Sequence, residues 1–396
     1  MDISDLRIAM FSGNYNMTLD GANKALNRLA EYLLRHGANL RVYSPTSKEI
    51  AFEPTGDLVS VPSFPIPGRS EYRCPMGLSR SNREDLAKFK PNIVHIASPD
   101  PTGHAALRWA QDHDIPVLSS VHTRFDTYLR YYGFGFAEPL ALKIMQRFYN
   151  RCDALVAPSR SMIAELIEKE MHDDIGLWSR GVDRHKFDPS RRDMEWRRSH
   201  GIADDDVVIT FLGRLVMEKG LDVFAETIVQ LRKRQIPHKV LVIGEGPARQ
   251  WFKNALPGGI FVGLQTEENL WRAIACGDIF FNPSVTETFG NVTLEAMASG
   301  LPVVAASATG ASSLVEDWEN GRLIPPGDAK AYADAIEPYC TNDDLRARHG
   351  QEGERRSREY SWDAINSVMA ETYERLVDTR AELIAAEAAN ETASSD

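Results

Sequence analysis

Short apolar runs rich in valine and isoleucine alternate along the chain with longer stretches whose apolar residues recur every three or four positions. The first pattern marks strands buried on both faces, and the second marks amphipathic helices. In the first half it predicts strands over Leu6–Phe11, Leu40–Ser44, Asn92–Ala97, Val117–Val121 and Ala154–Ala157. A helix fills the first gap, from about Gly21 to His36, with Leu26, Leu29 and Leu33 along one face and Gly37 as its stop. The second half repeats the scheme. Its strands are Val207–Leu212, Lys239–Ile243, Ile260–Val262, Ile279–Asn282, Val303–Ala305 and Arg322–Ile324. Helices fall between them at Leu221–Gln235, Glu268–Ala275, Asn291–Ser299 and Ala329–Tyr339.

Continuous apolar strands alternating with helices mean parallel sheets covered on both faces. Two rounds, joined near Arg180–Ser199, predict an α/β chain of two Rossmann-like doubly wound domains facing each other across a cleft. The expected boundaries are residues 1–185 and 186–360. A terminal helix over 361–387 packs back on the first domain, and the small, polar stretch 388–396 is a flexible tail. In open sheets of this kind ligands bind outside the carboxyl ends of the strands. Residues just after a strand are therefore functional candidates, and residues just before one are scaffolding.

Composition narrows the class. A chain of 396 residues accommodates two to three domains at roughly 100–200 residues each. No stretch approaches the roughly 18 uncharged apolar residues of a membrane span, and the acidic start Met1–Asp5 does not resemble a secretory signal. Cys74, Cys152, Cys276 and Cys340 are far apart, which fits reduced thiols in the cytosol better than a zinc site or a disulfide framework. The net charge of −11 argues against nucleic acid as a partner. All of that excess lies beyond residue 190, since residues 1–190 balance 23 basic against 23 acidic side chains.

The densest candidate chemistry follows the strand Ile279–Asn282. In Pro283–Pro302 a turn at Thr288–Gly290 opens a helix near Asn291, whose exposed N–H groups and dipole make an anion site. Glu295 lies one turn on and leans back toward that end, while Glu287 reaches it from the loop. Two carboxylates flanking an anion site suit a ligand with hydroxyls on both sides of a phosphate, such as a nucleotide sugar. The competing reading makes Glu295 a solvated helix residue and Glu287 a loop charge.

This segment resembles the E-x7-E signature of retaining, family 4 nucleotide-sugar glycosyltransferases of the GT-B fold. Glu287, Phe289, Gly290, Asn291, Leu294, Glu295, Gly300 and Pro302 all fall in the pattern. The resemblance extends over nearly the whole chain. It implies that Phe289, Gly290, Asn291, Val292 and Glu295 bind the donor, with Glu295 on the ribose and Glu287 on the sugar hydroxyls.

Three further groups stand at strand ends. Gly213–Gly220 supplies Arg214, a bidentate fork, and Lys219, a compact charge, together suited to a diphosphate. The family places its phosphate-binding cations at the matching positions. Ser12–Ala22 opens the first helix but is no dinucleotide fingerprint. On its own it reads as a glycine turn, and the family's diphosphate-lining glycine matches Gly21. His122 follows the strand Val117–Val121, and the resemblance implies that it orients the donor sugar. Asp112–Asp114 and Asp204–Asp206 precede strands, so both read as polar turns, and neither a metal nor another cofactor is expected. Gly263–Leu270, after the strand Ile260–Val262, falls where the family holds the nucleotide base.

On the acceptor side, residues 124–151 hold five basic and two acidic side chains among eight aromatics. That mixture suits a membrane headgroup region, an aromatic-lined acceptor pocket or plain core packing. Ser63–Pro67 with Glu71–Arg73, and Arg180–Asp183 with Phe187 and Pro189, are similar to segments of sulfoquinovosyl-diacylglycerol synthases and GDP-mannose-dependent mannosyltransferases. The implied activity is retaining, metal-independent transfer of a hexose from GDP-mannose or a UDP-sugar to an acceptor hydroxyl. A membrane glycolipid is one candidate acceptor, with the protein cytoplasmic and in peripheral contact with the inner membrane face through 124–151. The rivals are a sugar-nucleotide epimerase on the same fold and a non-catalytic sugar-nucleotide-binding module.

Overall fold

The computed structural model describes residues 1–17, 20–66, 69–122, 136, 138–308 and 310–394. Thr18 and Leu19 of the first glycine loop, Pro67, and residues 124–135 and 137 of the basic, aromatic stretch lie outside the described residues. The chain divides into two compact units, one of Met1–Ser179 with Asp363–Asp396 and the other of Arg180–Trp362.

The first unit is built on a parallel sheet of β1 (Arg7–Phe11), β2 (Asn39–Ser44), β3 (Asp57–Ser60), β6 (Ile93–Ile96), β7 (Val117–Ser120), β8 (Ala154–Ala157) and β9 (Ile175–Leu177), in the spatial order β3-β2-β1-β6-β7-β8-β9. Between β3 and β6 an antiparallel hairpin, β4 (Ser63–Ile66) with β5 (Arg69–Pro75), stands outside that sheet. The hairpin and the short strands β3 and β9 carry too few apolar residues for the hydrophobic pattern to reveal them. The first helix occupies Gly21–Arg35. Asp20 caps it by accepting from the Asn23 N–H at 2.8 Å, and Leu26, Leu29 and Leu33 are buried. Helices at Arg80–Phe89, Pro101–Gln111, Glu138–Tyr149 and Arg160–Glu168 complete the crossovers. Trp362–Ser394 is one continuous helix, so it runs on through residues 388–394 of the stretch that small, polar composition marks as a tail. Its buried Ile365, Met369, Tyr373 and Leu376 recur at helical spacing, which gives it one face packed on this unit.

The second unit carries β10 (Val208–Leu212), β11 (Lys239–Ile243), β12 (Ile260–Gly263), β13 (Ile279–Asn282), β14 (Val303–Ala306) and β15 (Gly321–Ile324), all parallel, in the order β12-β11-β10-β13-β14-β15. Alternate residues feed different cores. Ile279 and Phe281 pack with Phe211, Phe224 and Phe252 on one face, while Phe280 packs with Leu294 and Met297 on the other. Each fully buried phenylalanine contributes on the order of 1.5–3 kcal/mol of transfer free energy, so both faces hold the sheet.

Numbered within each sheet, the strands run 3-2-1-4-5-6-7 in the first and 3-2-1-4-5-6 in the second, the doubly wound order in which the chain reverses direction beside its first strand. In the second unit that reversal falls between β10 and β13. Connections leaving those neighbours diverge to opposite faces, so a crevice opens at their carboxyl ends.

Candidate active site

The loops leaving β10 and β13 are the ones that hold the predicted cations and carboxylates. After β10 the chain passes through Gly213–Val216 and a single 3₁₀ turn, Met217–Lys219, before the helix Leu221–Lys233. Gly220 closes the turn with φ +71°, and a Cβ there would lie 3.0 Å from the Pro283 carbonyl oxygen. A glycine at this point lets the Lys219 turn lie against the loop that follows β13. The Thr286 hydroxyl fastens the other side by donating to the Glu218 carbonyl at 3.3 Å.

That contact brings together two residues 68 positions apart. The Lys219 ammonium donates to Glu287 Oε1 at 2.7 Å. Their side chains keep 26% and 17% of their exposure, so the pair is mostly shielded yet still open to a ligand. Arg214 leaves the same strand end, is exposed, and has no ion-pair partner among the described residues. Its loop is braced by the one after β11. The Leu215 N–H donates to the Glu245 carbonyl at 2.9 Å, and the Ala248 N–H donates to the Leu215 carbonyl at 2.9 Å.

The helix Asn291–Ala298 begins behind Glu287. Its N-cap is Gly290, which has no side chain to satisfy the first-turn N–H groups, so the positive end of the dipole lacks a side-chain acceptor. The Oδ1 of Asn291, in that first turn, is buried and has no hydrogen-bond partner. A half-buried Glu295 lies one turn further along, and Val292 is half-buried beside it. Phe289 is different. It is 3% exposed, packs edge-on against Tyr360 at 5.9 Å and belongs to the core. Its side chain anchors the loop.

Gly310, not singled out in the sequence, closes over this loop. A Cβ there would lie 2.7 Å from the Glu287 carbonyl oxygen, so only glycine permits the approach. The loop Gly244–Ala248, hydrogen-bonded to Leu215, is a second such neighbour. Its two glycines directly after an apolar strand, Gly244 and Gly246, were the available signal. Nothing local in the sequence marks Gly310 as a neighbour of Glu287.

In the first unit, His122 lies two residues beyond the end of β7, and its Nε2 is 2.8 Å from Ser120 Oγ. The ring stands edge-on to Trp178, with centroids 5.5 Å apart. Gly21 opens the first helix, next to the capping Asp20 carboxylate. Asp112 follows the helix Pro101–Gln111 as its C-cap, and Asp114, in the same turn, precedes β7 at the amino end of the sheet. Among the described residues no group of three or more histidine, cysteine or acidic side chains could hold a metal ion.

The chemistry available is recognition of an anion with polyol neighbours. Arg214, Lys219 and the N-terminus of the helix Asn291–Ala298 offer positive charge, and Glu287 and Glu295 offer acceptors for hydroxyls.

Two family models match the chain: a glycosyltransferase family 4 model over residues 19–186 and a glycosyl transferases group 1 model over 206–342. The sulfoquinovosyl transferase SQD2 of Arabidopsis thaliana is 30% identical over 314 residues, which cover 77% of this chain and 61% of that protein. The chain therefore spans only about three fifths of that relative's length. A GDP-mannose-dependent alpha-mannosyltransferase of Corynebacterium glutamicum is 26% identical over 94% of this chain and 89% of its own. Among solved structures, sucrose-phosphate synthase from Thermosynechococcus elongatus superposes with a TM-score of 0.77 at 20% identity, covering 94% of this chain and 99% of that one. HepE of Anabaena, in complex with UDP and glucose, gives 0.70 at 19% identity over 93% and 99%. With two parallel-sheet units of doubly wound order and these matches along its length, the chain belongs to the family 4 glycosyltransferases of the GT-B fold.

Proposed function

We propose that this protein is a retaining glycosyltransferase that moves a hexose from a nucleoside-diphosphate sugar to an acceptor hydroxyl without a metal ion. The observation that carries the reading is the Lys219–Glu287 pair at the reversal point of the second sheet, beside an exposed Arg214 and an uncapped helix N-terminus. In this reading Arg214 and Lys219 take the diphosphate, the first-turn N–H groups from Asn291 to Thr293 assist them, Glu295 takes the ribose, and Glu287 takes sugar hydroxyls. His122 orients the sugar, and Gly21 allows close approach of backbone to the diphosphate.

The bond from the anomeric carbon to the diphosphate oxygen breaks, and a bond to the acceptor oxygen forms on the same face. The acceptor's proton passes to the departing phosphate oxygen. Charge grows on the diphosphate as that bond stretches, so cations already held at the site stabilise the transition state more than the ground state. Lys219 meets this need because Glu287 holds its ammonium in place before the donor arrives.

The donor is GDP-mannose or a UDP-sugar, in line with the mannosyltransferase relatives and the UDP complex of HepE. The acceptor is a membrane glycolipid precursor. Two relatives whose names include diacylglycerol support this, the alpha-monoglucosyldiacylglycerol synthases of Acholeplasma laidlawii and Streptococcus pneumoniae. So does the outer face of the helix Glu138–Tyr149, where Leu140 is 64% and Ile144 50% exposed between the exposed Lys143 and Arg147, with Phe136 82% exposed just ahead. An outward stripe of apolar and basic side chains suits an anionic bilayer surface. No helix among the described residues is long and apolar enough to cross a membrane.

The test is a panel of GDP- and UDP-sugars incubated with membrane lipid extract and chelator, read by mass spectrometry. A glycosylated lipid formed with the anomeric configuration of the donor supports the reading. Donor isomerised without acceptor, or bound without turnover, would refute it.

A further inference from the structure

Behind His122 lies a row of buried side chains that the proposed transfer leaves unused. The Tyr373 hydroxyl, on the terminal helix, is 2.7 Å from His95 Nδ1 on β6. His95 Nε2 is 2.7 Å from Ser120 Oγ on β7, and the same oxygen is 2.8 Å from His122 Nε2. Tyr373 and His95 have no exposure and Ser120 has 2%, so water cannot substitute for any link. Trp178 stands edge-on to both imidazoles, at 6.0 Å from His95 and 5.5 Å from His122, and its own N–H reaches Asn366 on the terminal helix at 3.4 Å. The rings are thereby held in plane, and what remains variable is where the protons sit.

Counting donors decides that. Burial holds the His95 imidazole down to about 3, so it is neutral with one donating and one accepting nitrogen. Burial also pushes Tyr373 up, so its hydroxyl keeps its proton. If the row ran from His122 inward, His95 Nδ1 would donate to the phenol oxygen. The Tyr373 proton would then be buried with no acceptor among the described residues, a loss of about 1–3 kcal/mol. Run the other way, every proton from Tyr373 to Ser120 is paired. Tyr373 donates to His95 Nδ1, His95 Nε2 donates to Ser120, and Ser120 donates to His122 Nε2.

We infer that Tyr373 is a positioning residue which, through His95 and Ser120, fixes His122 as the tautomer whose proton is on Nδ1. This rests on the reading of His122 as the residue that meets the donor sugar, where an Nδ1–H is a donor for a sugar oxygen. It also gives the terminal helix a part in the site that its distance in sequence hides.

The test is long-range proton–nitrogen correlation NMR on the nitrogen-15-labelled full chain without ligand, with His122 assigned by comparison with His122→Gln. The wild type should show a protonated Nδ1 and an unprotonated Nε2 at His122. Tyr373→Phe should mix the tautomers and lower kcat/KM for the donor about tenfold, the scale of one lost hydrogen bond, with the melting transition still cooperative. A proton on His122 Nε2 in the wild type, or an unchanged His122 spectrum in folded Tyr373→Phe, would overturn the inference. If that variant does not fold, Ser120→Ala cuts the same row next to His122 and must release the tautomer. The spectrum reports the row and turnover reports the transfer, so failure of one is distinguishable from failure of the other.

Discussion

Replacing Lys219 by alanine separates what the Lys219–Glu287 pair does for stability from what it does for catalysis. At 2.7 Å the two charges attract by about 6 kcal/mol gross at an effective dielectric near 20. Desolvation cancels most of that. With a quarter of the lysine and a sixth of the glutamate still exposed, the pair falls between surface bridges, at roughly 0–1 kcal/mol, and buried ones, whose breaking costs about 3–5. A net loss of about 1–2 kcal/mol follows. For a unit of this size each kcal/mol lowers the melting temperature by about 2–4 °C. Turnover should suffer far more. Removing a preorganised donor aimed at developing charge costs about a hundred- to a thousandfold in kcat. Differential scanning calorimetry and initial rates with the donor identified by the panel measure the two effects on one preparation. A folded Lys219→Ala enzyme with wild-type kcat would refute the assignment of Lys219 to the leaving group.

Other outcomes follow from neighbouring features. Gly220→Ala forces a side chain into a left-handed backbone and against the Pro283 carbonyl, so it should cost about 1–2 kcal/mol of stability and disturb the Lys219 turn, seen as a lower melting temperature together with reduced kcat. Gly310→Ala should displace the Glu287 loop. A crystal structure of that variant with the Lys219–Glu287 distance unchanged would contradict the packing argument. His95 is held neutral where the unfolded chain would protonate it, so the stability it contributes is present above its ordinary value near 6.5 and is lost as pH falls from there toward about 3. Urea midpoints at pH 7.5 and 5 should therefore diverge more for the wild type than for His95→Asn, and equal slopes would count against a neutral His95. Leu140→Ser with Ile144→Ser should weaken binding to anionic vesicles in a flotation assay without changing turnover of a detergent-dispersed acceptor, and undiminished flotation would remove that helix face from membrane contact.

Periodicity alone was enough to read the strands that carry the core. Ala154–Ala157, Lys239–Ile243 and Ile279–Asn282 appear in the structure with the limits that their apolar runs predict. These strands are buried on both faces, so their interiors are apolar throughout, with polar Lys239 and Asn282 only at their ends. The edge strands of the first sheet and the hairpin carry a weaker signal because half-solvated backbone places weaker demands on composition. The hairpin Ser63–Ile66 with Arg69–Pro75 and the short strand Ile175–Leu177 are held by hydrogen bonds to neighbours that no local pattern encodes.

The site divides along the same line. Lys219 and Glu287 could be singled out from sequence because each follows a strand, and position after a strand is a local property. Their meeting is not local. It requires β10 and β13 to be neighbours at the point where the sheet reverses, and it requires Gly220 to let one loop lie on the other. Gly310 at Glu287, and Tyr373 behind His122, likewise depend on contacts between segments distant in sequence. The sequence by itself determined which residue types stand at strand ends, because burial and turn chemistry act within a few residues. Only the tertiary structure decided which of those ends are adjacent, because the order of strands in a sheet is set by how crossovers pack.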